Sequence, residues 1–162
     1  MRRYFTIDEV NEHVPRLAAL FTQIMQVRTQ LKPLYQKLEA KGFPPVGDDF
    51  DPVIAKAPPA VIRERYTFRA LLDVLKSCVQ QVKACGCEIK DLETGLIDWY
   101  ARSGGRDVYL CWKFGEREVS YFHDLDAGFP GRRPIAELEP NVLPVFATPV
   151  PPAPEIHKKS TL

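Results

Sequence analysis

Gly95–Arg133 reads GLIDWYARSGGRDVYLCWKFGEREVSYFHDLDAGFPGRR, and the fold turns on how this stretch pairs with itself. Residues 107–113 (DVYLCWK) and 117–123 (REVSYFH) are rich in β-branched and aromatic side chains, the composition of strands. Phe114-Gly115-Glu116-Arg117 lies between them. Glycine at the first central position suits a two-residue type II′ turn, which needs a positive φ there. Such a turn pairs Trp112 with Val119, Leu110 with Tyr121 and Val108 with His123 on one face. On the other it pairs Lys113 with Glu118, Cys111 with Ser120 and Tyr109 with Phe122. The register gives one apolar face and one pair of opposite charges. One step further would set Asp107 against Asp124, so the ladder ends at Val108–His123 or a cation sits beside those carboxylates. Leu96–Tyr100, ahead of the turn-like Arg-Ser-Gly-Gly-Arg, is a candidate third strand.

Upstream, two helices carry this sheet. Thr6-Ile-Asp-Glu9 is a capping box, and Phe5 and Val10 are spaced for a hydrophobic staple. From Ile7 to Leu38 apolar residues recur in three- and four-residue steps, broken at Arg28; Leu20, Val27 and Leu34 widen the stripe. Pro15 and Pro33 fall inside the pattern, and each should kink or break the helix. Residues 41–60 read as a long irregular connection. Asp48, Asp49 and Asp51 within it lack the spacing of a calcium loop and read as solvated charge. A second helix is predicted from about Val61 to Cys85, with Val61, Phe68, Leu71, Leu75, Cys78, Val82 and Cys85 as its stripe. Arg63, Arg65 and Arg69 read as its solvated face, with Arg65 or Arg69 able to reach the sheet. Gly86 is the αL residue expected past its end, which places Cys87 against Val82.

The fold class expected is α+β: two long antiparallel helices plus a small antiparallel hairpin or three-stranded sheet. Residues 1–133 form the domain, and 134–162 form a proline-rich extended tail suited to binding a protein partner. With 22 Lys and Arg against 21 Asp and Glu, the net charge is +1, which disfavours a nucleic-acid or anionic-membrane surface. No apolar run approaches a membrane span, and MRRYFTIDEV lacks the apolar core of a signal peptide, so the cytoplasm is the expected compartment. Cys78, Cys85, Cys87 and Cys111 read as reduced thiols acting as small apolar residues. A metal on Cys85, Cys87 and a distant third ligand is the minority reading.

Three segments resemble one family. Tyr4-Phe-Thr-Ile-Asp-Glu-Val-Asn, with Pro15 after it, is similar to an opening YFTLEEAN. Glu88-Ile-Lys-Asp-Leu-Glu-Thr-Gly-Leu-Ile-Asp98-Trp resembles its segment VELKD…GLVDF. Val108 to Pro134 resembles its close, VYLCW..GE…WH.LDAGF.GR.P, the most specific of the three. The family is domain of unknown function 2203, and the resemblance spans about residues 4–134. It implies a bacterial, cytosolic helix-plus-hairpin protein and supplies no catalytic residues. The longer 41–60 connection and the proline-rich tail depart from it.

For function, the first reading is a non-enzymatic helical interaction or regulatory module, a homodimer completing a four-helix arrangement. There is no P-loop, dinucleotide fingerprint, nucleophile elbow or HExxH. The alternative is a metal- or anion-binding protein, or a small hydrolase, using Asp98, His123, Asp124, Asp126, Arg132 and Arg133 at the end of the hairpin. His123, Asp124 and Asp126 are the candidate ligands for a divalent metal, and the arginines suit an anion. The plain structural account of the same residues is that the arginines neutralise the aspartates and pin a glycine-rich loop.

Overall fold

The structure is a computed structural model that describes residues 2–46 and 52–141. The Asp48, Asp49 and Asp51 reading and the tail beyond 141 lie outside the described residues. In chain order come α1 (Ile7–Ala40), a single turn α2 (Pro52–Ala55), α3 (Pro59–Ala84), β1 (Glu88–Asp91), β2 (Leu96–Ser103), β3 (Arg106–Lys113), β4 (Tyr121–Asp124) and β5 (Arg133–Pro134). Short 3-10 turns occupy Phe129–Gly131 and Ile135–Glu137. The α+β expectation holds. The sheet is larger than the expected two or three strands: five antiparallel strands in the order β1-β2-β3-β4-β5. The two extra strands are short edges, with too few residues to leave a periodic signal.

α1 begins as its sequence dictates. Thr6 Oγ1 accepts from Glu9 N–H at 3.2 Å, and Thr6 N–H donates to Glu9 Oε2 at 2.8 Å. Phe5 and Val10 are buried in one cluster, and Phe5 N–H donates to Tyr100 C=O at 2.8 Å, tying the chain start to β2. The helix runs 34 residues without a break at Pro15 or Pro33. Both prolines are exposed, so the carbonyls they strand reach water instead of a dry core. Arg28, the interruption in the stripe, donates to Leu92 C=O at 3.3 Å and pairs with Glu93, fastening α1 to the β1–β2 turn.

α3 returns antiparallel to α1: Lys41 meets Glu64, Gln23 meets Cys78, and Arg16 meets Gln81. Its end follows the expected pattern. Gly86 has φ 78°, and Cys87 Sγ donates to Val82 C=O at 3.2 Å. Arg65 departs from the solvated-face reading; it is buried and donates to Pro44 C=O at 2.6 Å.

The sheet packs one face on the helices. Ile97, Trp99, Ala101, Val108, Leu110, Trp112 and Phe122 join α1 residues as far as Ile24 and α3 residues from Cys78 onward in the main core. The rest of the helical hairpin extends past the sheet, with a separate small cluster of Leu38, Ala57 and Val61 near its tip. The twelve α1 residues after Arg28 alone reach about 18 Å.

β2 and β3 meet at Gly104-Gly105, both at positive φ as a two-residue hairpin turn requires. The β3–β4 register differs from the sequence reading by one residue. Val108 pairs with Asp124, Tyr109 with His123, Leu110 with Phe122 and Cys111 with Tyr121. Gly115 takes φ 103° at the third position of a turn closed by Glu116 N–H to Lys113 C=O, not at the first central position of a type II′ turn. The chain then loops through Arg117–Ser120 before pairing resumes. Val119 anchors that loop, buried, with its N–H on Asn11 Oδ1 at 2.8 Å. Because side chains alternate, this single step moves His123 and Tyr121 off the helix-facing side. They stand on the outer face with Asp98 and Cys111, while Phe122 takes the place in the core.

Both sheet edges are short. β1 has four residues with an irregularity between Ile89 and Asp91, and β5 has two, one of them Pro134. Past β5 the chain docks on the β2–β3 turn: Glu139 N–H donates to Ser103 Oγ, and Asn141 exchanges hydrogen bonds with Gly105 and Arg102.

Candidate functional site

The outer sheet face carries polar residues in register. Glu88 lies opposite Asp98, Asp98 opposite Cys111, and Tyr100 opposite Tyr109, which lies opposite His123. No described helix lies over this face, yet Asp98 and His123 are each 2% exposed and Cys111 is fully buried. The cover comes from long side chains nearby. Lys90 Nζ sits 4.2 Å from the Tyr109 ring centroid, and Arg132 spans the Tyr121 and Phe129 rings.

His123 reaches across β3. Its Nε2 lies 3.1 Å from Asp98 Oδ2, and its Nδ1 lies 2.8 Å from the Asp124 backbone carbonyl. A carbonyl only accepts, so Nδ1 is the nitrogen that donates to it, and Nε2 is the one that faces the Asp98 carboxylate. Asp98 Oδ1 is buried with no hydrogen-bond partner. The Cys111 thiol stands beside that carboxylate. One donor atom each from Asp98, Cys111 and His123 all fall within 4.8 Å of one another. Burial pushes the Asp98 carboxyl above its ordinary range, against a weak hydrogen bond from the Cys111 thiol and the attraction of His123. Burial, and then the nearby Asp98 charge, push the Cys111 thiol well up. Cys111 therefore stays protonated at neutral pH without a metal, and neither imidazole nitrogen is aimed to deprotonate it. That argues against a thiolate nucleophile on a Cys–His pair.

Alongside runs a chain of phenols. Tyr109 Oη is 2.6 Å from Tyr100 Oη and 3.0 Å from Glu88 Oε2, and the Tyr109 ring lies 5.6 Å from the imidazole. Burial and these two partners raise the Tyr109 phenol far above its usual range.

The expected site residues separate into three groups. Asp98 and His123 come together. Asp124 contributes its backbone carbonyl to His123, while its carboxylate faces Arg133 at 3.5 Å and Arg106 at 3.9 Å. Arg133 also pairs with Glu137 at 3.9 Å. Arg132 turns elsewhere: both terminal nitrogens sit 2.7 Å from the Glu116 carboxylate, and Nη2 also reaches Cys111 C=O at 3.3 Å. Asp126 is exposed and joins none of these groups among the described residues. The described residues therefore contain no cluster of His123 with the Asp124 and Asp126 carboxylates. Cys111, Glu88, Tyr100 and Tyr109 are the members missed. Cys111 was hidden by the one-residue register error, which paired it with Ser120 and sent His123 to the other face.

Residues 3–135 match the profile of a family described as "Uncharacterized conserved protein (DUF2203)". The chain belongs to the DUF2203 family. No curated protein and no solved structure gives a significant match. Two of the three segments whose resemblance to DUF2203 was legible in sequence, the middle one and the close, include the residues that build this face. The GL-Ile-Asp segment supplies Asp98, Leu-Cys-Trp supplies Cys111, and His-Asp-Leu-Asp-Ala-Gly-Phe supplies His123. In this DUF2203 chain no described helix is long and apolar enough to cross a membrane.

Proposed function

We propose that this chain is a non-enzymatic interaction module of the cytoplasm that pairs with a second copy of itself through its helical hairpin. The carrying observation is the overhang. Past the sheet, among the described residues, α1 and α3 pack on each other and, near the tip, on Phe43 and Ala57, and Leu31, Leu71 and Leu72 are left half-buried between the two core clusters. Tyr66 is 65% exposed on the same overhang, an aromatic of the kind enriched at interfaces. A second hairpin laid alongside would complete a four-helix arrangement. The balanced charge suits like-with-like contact better than a strongly charged partner.

Sedimentation of the full chain at micromolar concentration is expected to show a dimer. Leu72→Lys, which puts a charge on the half-buried row, should yield a folded monomer with an unchanged melting temperature. A wild-type monomer, or a Leu72→Lys dimer, would overturn the proposal. Ile24 is a poor probe, because it is wholly buried in the chain's own core and its substitution would report folding.

A further inference from the structure

We infer that Asp98, Cys111 and His123 form a binding site for a borderline-soft divalent transition ion, zinc by preference, on the outer face of the sheet. The donor set is one thiolate, one imidazole and one carboxylate. A thiolate selects against magnesium and calcium, and this mixture is the one zinc takes. At ordinary zinc bond lengths of about 2.0–2.3 Å, tetrahedral donors lie roughly 3.3–3.6 Å apart. Asp98 Oδ2 and His123 Nε2 are already 3.1 Å apart, and all three donors fall within 4.8 Å, so side-chain rotation of about an ångström closes the set.

The imidazole is oriented for the task. Its Nδ1–H is held by the Asp124 carbonyl, and this leaves the Nε2 lone pair as the donor. A ligating histidine is ordinarily fixed in this way by the hydrogen bond at its other nitrogen. A second observation points the same way: no N–H or O–H reaches the buried Asp98 Oδ1, and only the weak thiol donor of Cys111 stands beside the carboxylate. Leaving a buried carboxylate oxygen so poorly paired is costly, and a cation removes the cost.

Charge closes the account. Thiolate and carboxylate carry two negative charges, the imidazole none, and a divalent ion neutralises the site in its buried position. Three protein donors leave one coordination position for water or an exogenous ligand. Arg132, through Cys111 C=O and the Glu116 loop, is a positioning residue for the strand that carries the thiol.

The test uses the full chain, stripped with a chelator and then given zinc chloride alone. Expected are one zinc per chain after desalting and a raised melting temperature. Cobalt in place of zinc should give the charge-transfer absorption of a thiolate ligand. Asp98→Asn, which keeps the shape of the side chain, should melt cooperatively yet bind zinc at least about tenfold more weakly. Cys111→Ser should also lose the cobalt charge-transfer band, while Cys85→Ser should keep both zinc and band. If Cys111→Ser does not fold, Asp98→Asn and the wild-type cobalt spectrum decide. Failure of the wild type to retain zinc or shift its melting overturns the inference. So does zinc binding undiminished by Asp98→Asn, which would put the ion elsewhere.

Discussion

Glu116 and Arg132 show how much one ion pair can organise. The Glu116 carboxylate accepts from Lys113 N–H and from both ends of the Arg132 fork, while its backbone carbonyl takes Trp112 Nε1–H at 3.0 Å. Arg132 is 11% exposed, its guanidinium stacked on two rings, so solvent screens the pair only weakly. Arg132→Ala should lower stability by about 2–4 kcal/mol in urea melts, because it strands the Glu116 carboxylate and the Cys111 carbonyl together. Arg132→Lys keeps the charge but not the fork and should fall between the two. An alanine variant as stable as wild type would show the pair to be incidental. Sequence pointed to Arg132 as a partner for the Asp124 or Asp126 carboxylates, since these are its near neighbours in the chain. The carboxylate it meets lies 16 residues upstream, across a register that adjacency does not reveal.

At the scale of elements, what was local was legible. The Thr6 cap, the Phe5–Val10 staple and the glycine past α3 each depend on residues within a few positions, and each stands as read. Gly86 tests this directly. It sits at φ 78°, and a Cβ there would collide with the ring of Phe5, which is itself the staple of α1. Gly86→Ala should therefore cost about 2 kcal/mol or more in thermal or urea unfolding, above the roughly 1–2 kcal/mol of the backbone conformation alone. A neutral result would mean that Phe5 and the α3 end are free to separate. The β3–β4 register was not legible, for a physical reason. Val108 through Trp112 are buried on both faces, so β3 offers no alternation to fix which side faces the helices. Gly115 fits a positive φ at either central turn position, and the two choices differ by the one residue that moved His123.

For the molecule as a whole, the four thiols span both layers. Cys78, Cys85 and Cys87 lie between α3 and the sheet, Cys111 lies on the outer face, and all are buried. Burial pushes Cys87 up to about 12, so almost none of it is thiolate even at mildly alkaline pH. Alkylation of the metal-free chain should then be slow at all four and follow denaturant in step with global unfolding. Rapid labelling of any of them in buffer would mean that its layer opens on its own. The sheet's two margins bear on a different property. A long flat edge is a template on which another chain can add a strand. Here one margin is broken by the irregularity in β1 and carries the charged Glu88 and Lys90, with Phe5 N–H already spent on the β2 carbonyl above it. The other is two residues long and includes a proline, which has no N–H to donate. Both described margins thus resist the addition of another strand, so the sheet is a poor template for open-ended growth of fibres from copies of this chain.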